Sequence, residues 1–259
     1  MMKREENDKR NKDSNMKIIR CIAILIVAVL VCGCVQTDQT LTIKQDGAGS
    51  YEVNYMLPEY FITQVKAMFE LEKLMAAVSG ETNIKIPEDD YVLTFLDPTE
   101  ERIRQYFLKY QKRGIILESV KIKAWGLLRN VRLKVRFNNL KAVAKTDLFA
   151  DYGFSLLKQR NGNYILSFEA QDQIDETAES VFSPESGEKS LEFLNGFKFV
   201  LRVNVPGMVL QTTAKKRTAY KAMWSYDFDE NRNAFSKFRN EKRIIIFDGK
   251  NLDLPEIHR

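Results

Sequence analysis

The chain of 259 residues contains three cysteines and one histidine, so thiol and imidazole chemistry have few places to sit. Cys32 and Cys34 flank a single glycine in VLVCGCVQTDQ. Two thiols one residue apart cannot furnish the four ligands of a structural zinc, and neither another well-placed Cys nor a nearby His completes the set. His258 stands one residue from the end of the chain, on a segment expected to fray, which argues against a His-dependent mechanism. DFDEN places Asp227, Asp229 and Asn231 at the spacing of the first calcium-loop ligands. The sixth loop position is Arg232 where a Gly is needed, however, and the twelfth is Phe238 where a bidentate Glu is needed. Neither a Gly-rich phosphate loop nor a nucleophile elbow is present, and nothing selects two carboxylates for a glycosidase-type dyad. The expectation is a non-catalytic protein without a bound metal or cofactor.

The candidate chemistry is cationic instead. In VKIK and VRLKVRF, Lys121, Lys123, Arg132, Lys134 and Arg136 fall on one side of a β-hairpin. Val120, Ile122, Val131, Leu133, Val135 and Phe137 fall on the other. Like charges on paired strands repel, by up to about 1 kcal/mol for a directly opposed pair. Such a face is either a solvated surface balanced by acids elsewhere or a seat for anionic headgroups, where each basic residue contributes about 1 kcal/mol. Met68, Phe69, Met75 and Phe107 form a second candidate, either an adaptable apolar pocket against a sheet or plain core.

The elements that must position these residues read as an α+β domain. Leu41 and Ile43, then Tyr51, Val53, Tyr55 and Leu57, recur at spacing two around an Asp46-Gly47-Ala48-Gly49 turn, the signature of a hairpin. From Glu59 to Ser79 the apolar residues switch to helical spacing. A second helix is announced by DPTE, where Asp97 is expected to cap and Pro98 to take the first turn. Ile103, Tyr106, Phe107 and Tyr110 make its buried face, and Gly114 ends it. The basic hairpin spans 115–138 and turns near Gly126, and a short helix over NLKAVAKTD leads to another hairpin through Asn161-Gly162-Asn163.

Residues 171–190 are acidic and serine-rich with little apolar pattern, and read as an exposed loop. Order resumes in LEFLNGFKFVLRVNVPGMVL, followed by strands in AYKAMWSYDF and RIIIFDG with a short helical link between them. The fold expected is an antiparallel sheet of about 8–9 strands in hairpins, packed with two longer helices and one or two short ones. It occupies 40–250 as a single domain, with 251–259 a polar tail.

The formal net charge of +5 is concentrated at the N-terminus: without residues 1–33 the chain keeps 33 basic and 31 acidic residues. Whole-chain charge is therefore no argument for nucleic acid. From Met16 the chain runs MKIIRCIAILIVAVLVCGC, a short basic region, an apolar stretch and then small residues, the layout of a secretory signal peptide. The apolar run falls short of the roughly 20 residues that span a bilayer. The fifteen polar residues ahead of Met16 are unusual before a signal, and translation is expected to start at Met16.

Val31-Cys32-Gly33-Cys34 resembles the lipobox of bacterial lipoproteins. The resemblance implies cleavage between Gly33 and Cys34, acylation of Cys34 with diacylglycerol and an N-acyl chain, and a short linker over 34–39. Lipobox, DGAGSYEV hairpin, helical insertion and GFKFVLRVNVPGMVLQTTA followed by Trp224 together resemble the LppM-like bacterial lipoproteins. The resemblance rests on Gly47, Gly49, Phe197, Pro206, Gly207, Val209 and Trp224, which are structural residues; Thr213 stands where that family is expected to carry Asn.

What it implies is an extracytoplasmic, lipid-anchored, non-catalytic domain that is expected to bind lipid or glycolipid or to be envelope-associated, with Cys34 as the anchor because the chain ends in polar KNLDLPEIHR. Val35 follows the anchor, where the Asp that retains some lipoproteins at the inner membrane is absent, which favours the outer membrane in a Gram-negative source. The alternative is a protein-binding envelope module that uses the acidic loop 171–190.

Overall fold

The computed structural model describes residues 36–60, single positions between 62 and 74, and 91–146, 153–169, 197–231 and 233–258. Eleven strands are present among them: β1 (Gln36–Ile43), β2 (Gly49–Pro58), β3 (Ile115–Trp125), β4 (Leu128–Phe137), β5 (Ser155–Lys158), β6 (Tyr164–Phe168), β7 (Lys198–Asn204), β8 (Val209–Thr212), β9 (Lys216–Thr218), β10 (Lys221–Asp227) and β11 (Arg243–Phe247). Four helices accompany them: α1 (Tyr91–Leu96), α2 (Glu100–Gln111), α3 (Leu140–Val143) and α4 (Ala234–Asn240). The described positions from 59 to 74 are helical, and Ile62 among them is buried.

The α+β architecture expected from the sequence is present, divided into two sheets. One has seven strands in the order β3-β4-β2-β1-β7-β10-β9; the other has four, in the order β5-β6-β11-β8. All pairings are antiparallel except that of β1 with β7, which is parallel and runs from Gln36 opposite Lys198 to Thr42 opposite Asn204. β1 therefore lies at the centre of the large sheet. Strict alternation sends Leu41, Ile43, Tyr51, Leu133, Val135, Phe199, Leu201, Val203 and Trp224 into one core and leaves the polar residues between them on the opposite face.

Helix α2 covers the β3 end of that core with the expected residues, Ile103, Tyr106, Phe107 and Tyr110. Their rings meet edge to face, Tyr106 lying 5.3 Å from Phe107 and 5.6 Å from Tyr110. The cap differs from expectation. Thr99 takes it, its hydroxyl accepting from the Arg102 amide at 3.1 Å. Asp97, two residues earlier, is left for ion pairs.

The sheets are joined where β7 leaves the large sheet through Pro206-Gly207 and becomes β8 of the small one. A Cβ on Gly207 would stand 1.8 Å from the Asp248 carbonyl oxygen, so the two backbones approach as closely as glycine permits. A second tie is Arg243, 2% exposed, whose guanidinium donates to the Tyr226 hydroxyl at 3.0 Å and the Phe238 carbonyl at 2.6 Å. Tyr226 in turn donates to Glu241 at 2.6 Å; burial first, then this bond, pushes its phenol far above the ordinary value. One buried cation thus links β10, α4 and β11, with its charge paired through the phenol.

The tail does not fray. Leu252, Leu254 and Ile257 are buried, Ile257 pairs with Leu156, and the Tyr164 hydroxyl accepts from the Leu254 amide at 3.0 Å. Three apolar side chains in DLPEIHR and its neighbours outweigh the polar composition.

Gly207→Ala is expected to lower the urea midpoint with little change in its slope, a loss of about 1–3 kcal/mol. Chemical denaturation followed by circular dichroism measures it.

Candidate functional site

Strands β3 and β4 form the hairpin that carries the basic residues. Gly126 adopts φ +61° in the turn, with nothing within 4 Å of where a Cβ would be. Lys121 stands opposite Arg132, Lys123 opposite Asn130 and Trp125 opposite Leu128. These pairs share the outer face of the sheet, with Asn54 and Met56 of β2 continuing the rows. Val120, Val131, Leu133, Val135 and Phe137 are buried on the inner face.

Alternation breaks once, at a register shift between Leu117 and Ser119. The extra residue, Glu118, is a bulge. Its carboxylate lies 3.2 Å from Arg136 and 3.7 Å from Lys134, and Lys134 also meets Glu52 at 3.1 Å. Glu52 first and Glu118 second hold the Lys134 ammonium above its ordinary value. The five cations therefore fall into two groups. Lys134 and Arg136, toward the strand ends, are neutralised by two carboxylates. Lys121, Lys123 and Arg132, toward the turn, have no ion pair among the described residues. Lys121 and Arg132 are directly opposed and exposed, a repulsion that the fold retains.

Beyond the three cations the turn is apolar. Trp125 is 77% exposed and Leu127 78% exposed. Turns normally carry polar residues, so the sequence signal for this tip was AWGLL itself, large apolar side chains around a turn glycine. Spacing rules directed attention to the strands and passed over it.

The tip is braced from below. The Glu59 amide donates to the Leu127 carbonyl at 2.8 Å. Arg129 grips the Glu59 carboxylate through two bonds of 2.9 Å and reaches Asp97 with a third of 2.9 Å. Lys66 and Arg102 also meet Asp97, at 2.6 and 3.5 Å. Burial alone would raise the Asp97 carboxyl; hydrogen bonds from Lys66 and Arg129 outweigh it and hold the group below its ordinary value. Bidentate pairing with Glu59 is the main cause that holds the Arg129 guanidinium above its own.

Gly47, Gly49, Pro206, Gly207 and Trp224 do structural work. Gly47 has φ +77°, and a Cβ on Gly49 would stand 2.0 Å from the Thr42 carbonyl oxygen. Trp224 is 1% exposed, its indole donating to Thr213 at 3.3 Å. Thr213, where an Asn was expected, thus serves as the acceptor. Phe107 is core, while Met68, Phe69 and Met75 lie outside the described residues. So do Gly33, Cys34 and the acidic segment 171–190.

Asp227 spends its carboxylate on Lys198 at 2.9 Å and on the Asp229 and Glu230 amides, forming a turn and not a calcium loop. His258 is exposed and, among the described residues, its ion-pair partner is Glu256 at 3.4 Å. Among the described residues no group of three His, Cys, Asp or Glu is arranged to hold a metal ion, and no helix is long and apolar enough to cross a membrane.

No family model matches the chain. No curated protein matches it either. Among solved structures, the folded domain of LppM from Mycobacterium tuberculosis aligns with 85% of this chain and 95% of its own, at 12% identity and a TM-score of 0.38. A likeness of that degree carries no argument, and the function is argued from the chain's own residues.

Arg129→Gln is expected to cost about 1–3 kcal/mol at neutral pH, since Glu59 and Asp97 lose their shared donor. The Asp97 contribution is complete above its unfolded-state value near 3.8 and is lost as pH falls through the lower folded value. The gap between wild type and variant should therefore narrow in acid. Urea titrations across that range measure it.

Proposed function

We propose that this chain is a lipid-anchored, extracytoplasmic protein whose domain is non-catalytic and engages anionic lipid or glycolipid headgroups through the outer face of the β3–β4 hairpin. One observation carries the reading: Lys121, Lys123 and Arg132 are exposed side by side without a counter-charge among the described residues, while their neighbours Lys134 and Arg136 are neutralised. A sheet face selected only for solubility has carboxylates available, as Glu52 and Glu118 show, and among the described residues none is placed at these three. Phosphate headgroups supply the missing charge. The N-terminal apolar run and VCGC support attachment, with Cys34 as the acylated residue.

Two measurements test it. In cells, labelled palmitate should enter the wild type and not Cys34→Ala. In vitro, the chain from Val35 onward, which keeps the whole described core, should sediment with phosphatidylglycerol vesicles and far less with phosphatidylcholine. Replacing Lys121, Lys123 and Arg132 together by Gln should weaken that partition on the order of 100-fold at low salt. Equal binding by the triple variant would remove the headgroup reading.

A further inference from the structure

We infer that the hairpin tip enters the membrane interface: Trp125 and Leu127 insert beside the N-terminal anchor, and the domain stands with its strands steep to the bilayer. This rests on the headgroup reading and adds depth and orientation to it.

The pairing register supplies the geometry. Thr37 of β1 lies level with Tyr55, Tyr55 with Val131, and Val131 with Ile122. Gln36 is one residue further toward the same end, and the Trp125–Leu128 pair is two residues beyond the level of Gln36. Two residues of strand rise about 7 Å. Cys34 precedes Gln36 by two residues, and two residues of chain reach at most about 7 Å. The attachment point and the tip thus lie within reach of one plane. Laterally, β1 and β3 are three strand spacings apart, about 14 Å. The chain enters the fold on the membrane side whether Cys34 is acylated or the apolar run stays in place.

The tip has the composition of an interfacial anchor. An indole and a leucine are 77% and 78% exposed, and the three cations, which have no ion pair among the described residues, begin with Lys123, two strand residues behind Trp125, at the depth of headgroup phosphates. Tryptophan favours this boundary because its ring is apolar and its N–H remains able to donate. The turn's backbone is also prepared for a dry setting, since the Leu127 carbonyl already accepts from Glu59. Glu59 and Asp97, the carboxylates that brace the tip from below, are held by Arg129 and so present little charge to an anionic surface.

The two tryptophans of the chain make the test direct, because Trp224 is buried and only Trp125 is exposed. The full-length chain is reconstituted into phosphatidylcholine–phosphatidylglycerol vesicles with lipids brominated near the headgroup end of their acyl chains. The Trp125 signal, taken as the difference between wild type and Trp125→Phe, should shift to the blue, lose most of its intensity to bromine and resist aqueous iodide. Leu127→Asp should abolish the bromine quenching while Trp224 emission stays unchanged, which shows that the fold is intact. A Trp125 signal open to iodide and indifferent to bromine overturns the inference. Bromine quenching that persists in pure phosphatidylcholine and in the Lys121, Lys123, Arg132→Gln variant sustains insertion while removing the headgroup reading. Headgroup preference without bromine quenching does the reverse.

Discussion

Backbone pairing that continues without a break from β3 through β4, β2 and β1 to β7 is the constraint on which the rest depends. Side chains alternate with a period of two, so a slip of one residue anywhere in this run would exchange the two faces. Leu133 and Val135 would meet water, and Arg132 and Lys134 would enter the core. The same register fixes which loops share an end of the sheet. It places the start of β1 and the turn of the basic hairpin on one side, and the Gly47 turn with its Pro255 contact on the other.

How much of this the sequence carried depended on the range of the interaction. Local periodicity identified the buried face of α2 residue by residue and placed the Gly126 and Asn161-Gly162-Asn163 turns. It assigned the cap to Asp97 because Asp, Pro and Glu match a capping box; tertiary ion pairs with Lys66, Arg102 and Arg129 won Asp97 instead, and Thr99 filled the position. The parallel pairing of β1 with β7 joins segments about 160 residues apart, and no local pattern announces such a partner. Strands β8 and β9, of four and three residues, are too short for alternation to be seen. The cationic residues were visible as a set. Their division into paired and unpaired groups was not, because Glu52 reaches Lys134 from another strand.

The central position of β1 ties distant parts of the chain together. Its hairpin with β2 is local, whereas its other edge is covered by Lys198–Asn204 from far along the chain. Pro206-Gly207 directs the chain straight into the small sheet, and the buried Arg243 of that sheet donates to Tyr226 of the large one. Separating the two sheets would strand that cation, which couples the stability of one layer to the other.

The bulge at Glu118 holds two properties in one residue. Because it is the extra residue of β3, it escapes the alternation that puts only uncharged or basic side chains on that strand's outer face, and its carboxylate spans two cations of β4. Deleting it would straighten the strand and strip Arg136 of its counter-ion in the same stroke. The register of this hairpin and its pattern of charge therefore cannot drift independently: an insertion or deletion there rewrites the electrical character of the surface as well as its shape.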